Sequence, residues 1–139
     1  MFSPKPVVID TNILFSALLR SRSTFAQTIL GSKHSFHICE SVIVELFKHK
    51  EKLISLSRLS EEEVIRVFYI ILRRVIISKE ELIDQSVRQK AYKLCSDIDE
   101  ADSPHVALTL KLGGLLWTGD RKLKKGLRKK GFNAFFDPR

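Results

Sequence analysis

The chain has 139 residues, 44% of them hydrophobic, which is enough to bury a core, and we expect one domain over residues 1–139. No apolar run approaches the ~20 residues of a membrane span. The amino terminus lacks the charged-then-apolar layout of a secretory signal, so we expect a cytoplasmic protein. Lys and Arg (24) outnumber Asp and Glu (16), and the formal charge of +8 favours a polyanionic partner such as nucleic acid, although basic surfaces also serve solubility alone.

Short apolar strands alternate with helices along the first half of the chain. The β-branched run at 7–9 predicts a strand buried on both faces, and the apolar spacing over 13–18 predicts a helix directly after it. Ser41 is the predicted cap of a later helix that looks buried nearly all round. The other elements predicted in this half are a polar break at 20–23, a helix at 24–30 and a strand at 36–39.

The second half continues the alternation, which predicts a parallel sheet covered on both faces. Ser60 and Glu63 have the spacing of a capping box, and the helix at 64–74 that follows has apolar residues on more than one face. Such a helix is either buried in the core or covered by another chain. The remaining predicted elements are a buried strand at 75–78, a helical stretch at 79–95 whose continuity across Asp84 stays open, a helix at 105–112, a strand at 115–117, a helix at 121–130 and an edge strand at 133–136.

Two predicted strands end in a hydroxyl and a carboxylate. Asp10 and Thr11 follow the first strand, and Thr118 and Asp120 follow the strand at 115–117. Ligands of open α/β sheets bind beyond the carboxyl ends of the strands, so these residues lie where chemistry usually occurs. The alternative is that Asp10 or Thr11 only caps the next helix. Cys39 and Cys95 lie in apolar segments without metal-ligand spacing and are predicted to be reduced and buried.

Further acids occur within or before predicted helices. Glu45 has apolar neighbours in sequence, and a buried carboxylate must find a partner or become neutral. The partner is either a ligand or a lysine or arginine elsewhere in the fold. Asp99 and Asp102 belong to an acidic cluster that also contains Asp97 and Glu100, and one of them can be a helix cap.

Asp10, Glu45, Asp102 and Asp120 can converge on one cleft of a parallel sheet. Two like charges ~4 Å apart repel by roughly 4 kcal/mol at an effective dielectric constant of 20, and a helix amino terminus offsets only about 0.3–1 kcal/mol. A cation is therefore expected. Carboxylates without cysteine or histidine nearby favour Mg²⁺ or Mn²⁺ over zinc. An acidic metal site in a basic protein predicts a metal-dependent nuclease.

Motifs in four places, from residue 7 to residue 136 in order, together resemble the PIN domain. The motifs are Val7-Val8-Ile9-Asp10-Thr11-Asn12, Glu45 in its helix, Asp99-x-x-Asp102-Ser103-Pro104, and Leu116-Trp117-Thr118-Gly119-Asp120. The resemblance implies a three-layer α/β/α sandwich around a central parallel sheet and Mg²⁺- or Mn²⁺-dependent hydrolysis of RNA. The catalytic and metal-binding acids that it implies are Asp10, Glu45, Asp102 and Asp120. The supporting residues that it implies are Thr11, Asn12, Asp99 and Thr118.

The resemblance also raises specific partners. Many PIN domains are toxins of toxin–antitoxin pairs, often dimeric and silenced by a small antitoxin protein. The apolar helix at 64–75 is the candidate for homodimer formation. Lys124, Lys125 and Lys129 on the last helix are predicted to bind RNA, the alternative being a solvated face.

Two other classes of function compete with a nuclease. A receiver or small phosphatase domain also has acids at its strand ends, but Thr11 and Asn12 occupy places where those folds need a second acid. A catalytically inactive PIN fold that only binds RNA or protein is the main alternative. His105 lies beside the acids, and a packed or solvated histidine is the expected role there.

Overall fold

A computed structural model describes residues 4–19 and 24–138, so the polar break predicted at 20–23 lies outside the described residues. Within them, four parallel strands form one sheet in the order β3-β2-β1-β4. The strands are β1 (Val7–Ile9), β2 (Phe36–Cys39), β3 (Val75–Ser78) and β4 (Leu115–Trp117). β1 is central, because Val7 pairs with Phe36 on one side and with Leu115 on the other. The predicted parallel sheet is confirmed.

Helices cover both faces of the sheet, which confirms the three-layer α/β/α sandwich. In one layer α7 packs on β1, β2 and β4 with α6 against it, and in the other α1 packs with α2, α4 and α5. The helices of the described residues are α1 (Thr11–Leu19), α2 (Thr24–Gly31), α3 (Glu40–Lys48), α4 (Lys50–Leu56), α5 (Glu61–Arg74), α6 (Gln85–Cys95), α7 (Ser103–Leu112) and α8 (Arg121–Lys129), with short 3₁₀ turns at Glu80–Leu82 and Glu100–Asp102.

The two edges of the sheet differ from the prediction. The sequence predicts a buried β3, but in the described part of the chain this strand pairs with β2 alone, and Ile76 and Ile77 are 52% and 46% exposed. That prediction is wrong because an apolar run does not reveal whether its strand is central or at an edge. At the other edge, the strand predicted at 133–136 is reduced to one bridge between Leu116 and Phe135.

Helix boundaries follow local chemistry where a side chain caps the helix. The Ser60 hydroxyl accepts a hydrogen bond of 3.2 Å from the Glu63 amide, as the capping box predicts. Ser41 is not a cap, because α3 begins one residue earlier and no side chain caps it. The stretch at 79–95 does break at Asp84, between a 3₁₀ turn and α6. Helix α4 is not among the predicted elements.

Two glycines join α7 to β4 and keep that strand close to β1. Gly113 has a φ of 61°, the left-handed conformation that ends α7. A Cβ on Gly114 would lie 2.3 Å from the Pro6 carbonyl oxygen, so only glycine fits there. This connection places the carboxyl end of β4 beside that of β1.

The core agrees with the sequence in its main features. Cys39 and Cys95 are free and buried, as predicted, and burial raises the pKa of their thiols to about 12 and about 11. Phe36, Trp117 and Phe136 form an aromatic cluster with ring centroids 5.1–6.0 Å apart. No helix within the described ranges has the length and apolar character required to cross a membrane.

Candidate active site

The carboxyl ends of the strands open onto one cavity of about 370 Å³. Seven of the predicted site residues line it, and these are Asp10, Thr11, Asn12, Glu45, Asp99, Asp102 and Asp120. They come from the ends of β1 and β4, from α3 and from the turn before α7. The fold therefore brings distant carboxylates together, while their catalytic role remains a prediction.

Asp10 is both a structural and a candidate site residue. It is only 4% exposed, and one carboxylate oxygen accepts a hydrogen bond of 2.9 Å from the Ile13 amide at the start of α1. Burial raises its pKa, with a smaller contribution from Asp120, against the lowering effects of Thr118, Ile13 and Lys124. Asp10 thus caps α1, as the capping alternative predicts. Capping alone does not describe it, because the same carboxylate also lines the cavity.

Thr118 connects the carboxyl ends of β1 and β4. Its buried hydroxyl interacts with the Asp10 carboxylate and accepts a hydrogen bond of 3.1 Å from the Asp120 amide. Asp120 in turn caps α8 by accepting from the Leu123 amide at 3.1 Å. Thr118 does not itself line the cavity, so its place in the structure suits the supporting part that is predicted for it.

Asp102 carries the clearest electrostatic signature of the site. Its side chain accepts no capping hydrogen bond at the start of α7. Burial raises its pKa to about 7, and Asp99, Asp10 and Asp120 add to that rise through their negative charges. The neighbouring Asp99 accepts a hydrogen bond of 3.0 Å from the Ala101 amide. Asp102 therefore lies in the negative field of three neighbouring acids.

Glu45 lies in a less buried place than the sequence predicts. Its side chain is 43% exposed, and Val44 and Phe47 beside it are exposed as well, so α3 is not buried all round. Glu45 lies 3.8 Å from the Lys48 ammonium and 3.4 Å from His49 Nε2, both on or just after its own helix. Exposed pairs of this kind contribute little to stability and are readily exchanged. Glu45 still lines the cavity.

Five further residues line the cavity without a site role predicted from the sequence: Ala101, Pro104 and the polar residues Ser41, Glu80 and His105. Ser41 is a predicted helix cap, and Glu80 has no predicted role. His105 is 5% exposed, its Nε2 lies 3.5 Å from the Thr11 hydroxyl, and burial lowers its pKa to about 4, so the imidazole is neutral at pH 7. In the sequence, the position of His105 next to the acidic cluster at 97–102 is the signal that could have placed it at the cavity.

The lysines predicted to bind RNA lie at different distances from the acids. Lys124 is half-buried and close enough to Asp10 to lower the pKa of that carboxyl group. Lys125 and Lys129 are exposed farther along α8 and do not line the cavity. α8 thus begins at the acids and carries positive charge away from them.

The donor set fits a hard divalent cation in its chemistry, since it consists of carboxylates with a buried acceptor oxygen of Glu80 left unpaired. Within residues 4–19 and 24–138, no Lys or Arg nitrogen lies within 4.0 Å of a carboxylate oxygen of Asp10, Asp102 or Asp120. In the same ranges, no three His, Cys, Asp or Glu side chains are placed as they stand to hold a metal ion. Cation binding would therefore require some acids of the cavity to move closer to the others.

The molecule is thus a small parallel α/β/α sandwich with a carboxylate-lined cavity at its strand ends. A sequence model of the PIN domain matches residues 8–134. The chain belongs to the PIN domain family, whose members are generally nucleases that use divalent metals.

One solved structure supports the fold independently. The crystal structure of PAE2754 from Pyrobaculum aerophilum superposes with a TM-score of 0.63 and 14% identity, covering 94% of this chain and 83% of that one. At this identity the likeness shows the fold alone. The comparison with curated proteins gave no match.

Proposed function

We propose that the protein is a ribonuclease that hydrolyses phosphodiester bonds with Mg²⁺ or Mn²⁺ bound in the acidic cavity. One observation carries the proposal: carboxylates from five parts of the chain line one cavity, where burial and the negative charges of Asp99, Asp10 and Asp120 raise the pKa of Asp102 to about 7. A divalent cation is the natural compensation for such a cluster.

The residues that would hold the cation are Asp10, Glu45, Asp102 and Asp120. Bound there, the cation would polarise the scissile phosphate and lower the pKa of a water molecule, which is the chemistry that metal-dependent hydrolysis needs. Thr118 and the amides of Ile13 and Leu123 keep two of these carboxylates in fixed positions. Glu45 would exchange its exposed contacts with Lys48 and His49 for the cation.

The basic character of α8 supports a polyanionic substrate. The charge of Lys124 lowers the pKa of Asp10, and Lys125 and Lys129 continue the positive charge along the helix that Asp120 caps. A phosphodiester strand that enters the cavity would therefore meet lysines on one side of the acids. Such contacts are independent of base sequence and sensitive to salt. RNA rather than DNA is proposed from the resemblance to the family.

A toxin of a toxin–antitoxin pair is the finer form of this proposal, with a small antitoxin and a second copy of the chain as partners. The homodimer has a candidate surface, since Ile65, Tyr69 and Ile70 of α5 are exposed together with Phe47 of α3. Large apolar side chains grouped on a surface are typical of protein interfaces. A single elution species of twice the chain mass would support the dimer.

End-labelled single-stranded RNA tests the proposed reaction. We expect cleavage with Mn²⁺ or Mg²⁺ and none with EDTA, and Asp10→Asn should lower the rate by about 10²–10³-fold because it removes a charged group from the site. Asp84→Asn is the matched control, since Asp84 is an exposed residue at the start of α6 that forms no capping bond and does not line the cavity. RNA binding by the wild type without cleavage under any metal would favour the inactive binding module.

A further inference from the structure

Glu80 is an acid of the cavity that neither the PIN motifs nor the proposed reaction uses. It begins the 3₁₀ turn that follows β3, and it is half-buried. Its Oε1 is fully buried and has no hydrogen-bond partner among the described residues. In the same part of the chain, no Lys or Arg nitrogen lies within 4.0 Å of the Glu80 carboxylate. Buried acceptors without a partner are rare in native proteins, and each one calls for an explanation.

A second unpaired group lies in another wall of the same cavity. His105 of α7 is buried, with an exposure of 5%, and its Nδ1 also lacks a partner among the described residues. Its other nitrogen contacts the Thr11 hydroxyl at 3.5 Å. Glu80 and His105 line the cavity from different elements, and each has one buried polar atom without a hydrogen-bond partner among the described residues. A polar ligand in the cavity would account for both.

The topology shows which side of the cavity Glu80 occupies. Asp120 follows β4, Asp10 follows β1, Glu45 lies on the helix after β2, and Glu80 follows β3. Each strand of the sheet thus leads to one acid of the cavity, and across the sheet these acids follow the order Asp120, Asp10, Glu45 and Glu80. Glu80 is the last acid in this order.

We propose that Glu80 is a further cation ligand of this cavity, which binds the divalent ion from the β3 side through the oxygen that the protein leaves unpaired. The inference rests on the proposed function, because both require a cation among the acids. It adds that the acidic site extends across all four strands of the sheet rather than ending at Glu45.

The test measures Mn²⁺ affinity on the full chain by electron paramagnetic resonance of free Mn²⁺. Glu80→Gln keeps the shape of the side chain and removes its charge, and it should weaken Mn²⁺ binding about tenfold or more, since even residues that only orient a metal ligand cost 10–100-fold. Glu81→Gln is the matched control, because Glu81 is the next residue, is exposed and does not line the cavity. It should bind Mn²⁺ within about twofold of the wild type.

A second readout follows the melting temperature with and without Mn²⁺. The rise in melting temperature on adding Mn²⁺ should be smaller in Glu80→Gln than in the wild type and unchanged in Glu81→Gln. If Glu80→Gln does not fold, Glu80→Asp takes its place, since it keeps the charge with a shorter reach and should also weaken binding.

The outcomes separate this inference from the proposed function. Unchanged Mn²⁺ affinity in Glu80→Gln, together with weakened binding in Asp10→Asn, would overturn the role of Glu80 and leave the proposed nuclease intact. A wild-type protein that binds no Mn²⁺ would overturn both.

Discussion

The two sides of the acidic cavity are built differently. On the β1–β4 side, Asp10 and Asp120 each accept a hydrogen bond from a backbone amide at the start of a helix. The Thr118 hydroxyl interacts with the Asp10 carboxylate and accepts a hydrogen bond from the Asp120 amide. On the β2–β3 side, and within residues 4–19 and 24–138, the Glu45 carboxylate pairs with Lys48 and His49 near the surface, and the buried oxygen of Glu80 has no hydrogen-bond partner.

This difference separates a part of the site that the fold fixes from a part that a ligand must complete. Carboxylates on the β1–β4 side hold helix ends in place whether or not a cation is present, so changing them affects both folding and chemistry. Carboxylates on the β2–β3 side contribute little to the fold, so changing them should affect cation binding alone. Variants on each side of the cavity can test that division.

Among the variants that compare the two sides, we expect the largest effect on stability from Thr118, which connects Asp10 and Asp120 on the β1–β4 side. Thr118→Val keeps the volume of the buried side chain but removes the hydroxyl that contacts Asp10 and accepts from the Asp120 amide. We expect a decrease of about 1–3 kcal/mol in the free energy of unfolding because buried polar groups lose their partner. RNA cleavage should also fall, by about 10–100-fold, because the carboxylates lose their fixed positions. Urea unfolding and cleavage rates measure the two effects.

A second buried threonine provides the control for this prediction. Thr109 donates a hydrogen bond of 2.7 Å to the His105 carbonyl oxygen within α7 and does not line the cavity. Thr109→Val should lower stability without lowering the cleavage rate of the folded protein. If Thr118→Val lowers stability only, the fixed side is structural and has no part in the chemistry.

The next largest effect concerns the pH dependence of stability at Asp102, where the negative charges of Asp10 and Asp120 disfavour ionisation of the carboxyl group. Its pKa in the folded protein is raised to about 7 from an ordinary value of 3.8, chiefly by burial. The proton on Asp102 therefore stabilises the metal-free fold fully below pH ~4, and this contribution is lost as the pH rises through about 7. Asp102→Asn removes the ionisation.

Metal-free Asp102→Asn should thus gain stability over the wild type as the pH rises. At pH 8 we expect a gain of about 1–2 kcal/mol, reduced from the full linkage value because the side chain is partly exposed. Thermal melts from pH 4 to pH 8 in EDTA measure it, with Asp84→Asn as a control that should show no such trend. Saturating Mn²⁺ should reverse the order of the two melting temperatures. A constant difference across this pH range would contradict the raised pKa of Asp102.

The smallest effect is expected outside the cavity, on α8. Replacing Lys124, Lys125 and Lys129 by alanine should weaken RNA binding by a few fold. The slope of log affinity against log salt should fall by about 0.7 for each single-strand phosphate that no longer meets a lysine. Lys33, Lys52 and Lys90 are exposed elsewhere and serve as a control triple. An unchanged salt slope in the α8 variant would place the RNA on another surface.

The fixed side of the cavity is more predictable from the sequence than the other side. Asp10 and Asp120 follow apolar strands closely, and a polar residue at that point is informative because the carboxyl ends of parallel strands meet at one edge of the sheet. The sequence points to Glu45 for a reason that the structure contradicts, since its side chain is not buried. Its place on α3 after β2 is what brings it to the cavity.

Glu80 could not have been found from the sequence. It stands between Lys79 and Glu81 in a charged stretch, and nothing in the residue order distinguishes it from Glu81. Only the 3₁₀ turn after β3 buries one of its oxygens and leaves Glu81 exposed. The edge position of β3 escaped prediction for the same reason, because both depend on which strands become neighbours.

Direct titration with Mn²⁺ by isothermal calorimetry tests the central claim, that the acids of this cavity together bind a divalent cation. The wild type at pH 8 should bind Mn²⁺, and the double variant Asp10→Asn/Asp102→Asn should bind it about 100-fold more weakly or not at all, because it lacks two of the carboxylates that meet in the cavity. Equal affinity in the two proteins, or no binding by the wild type, would contradict the account.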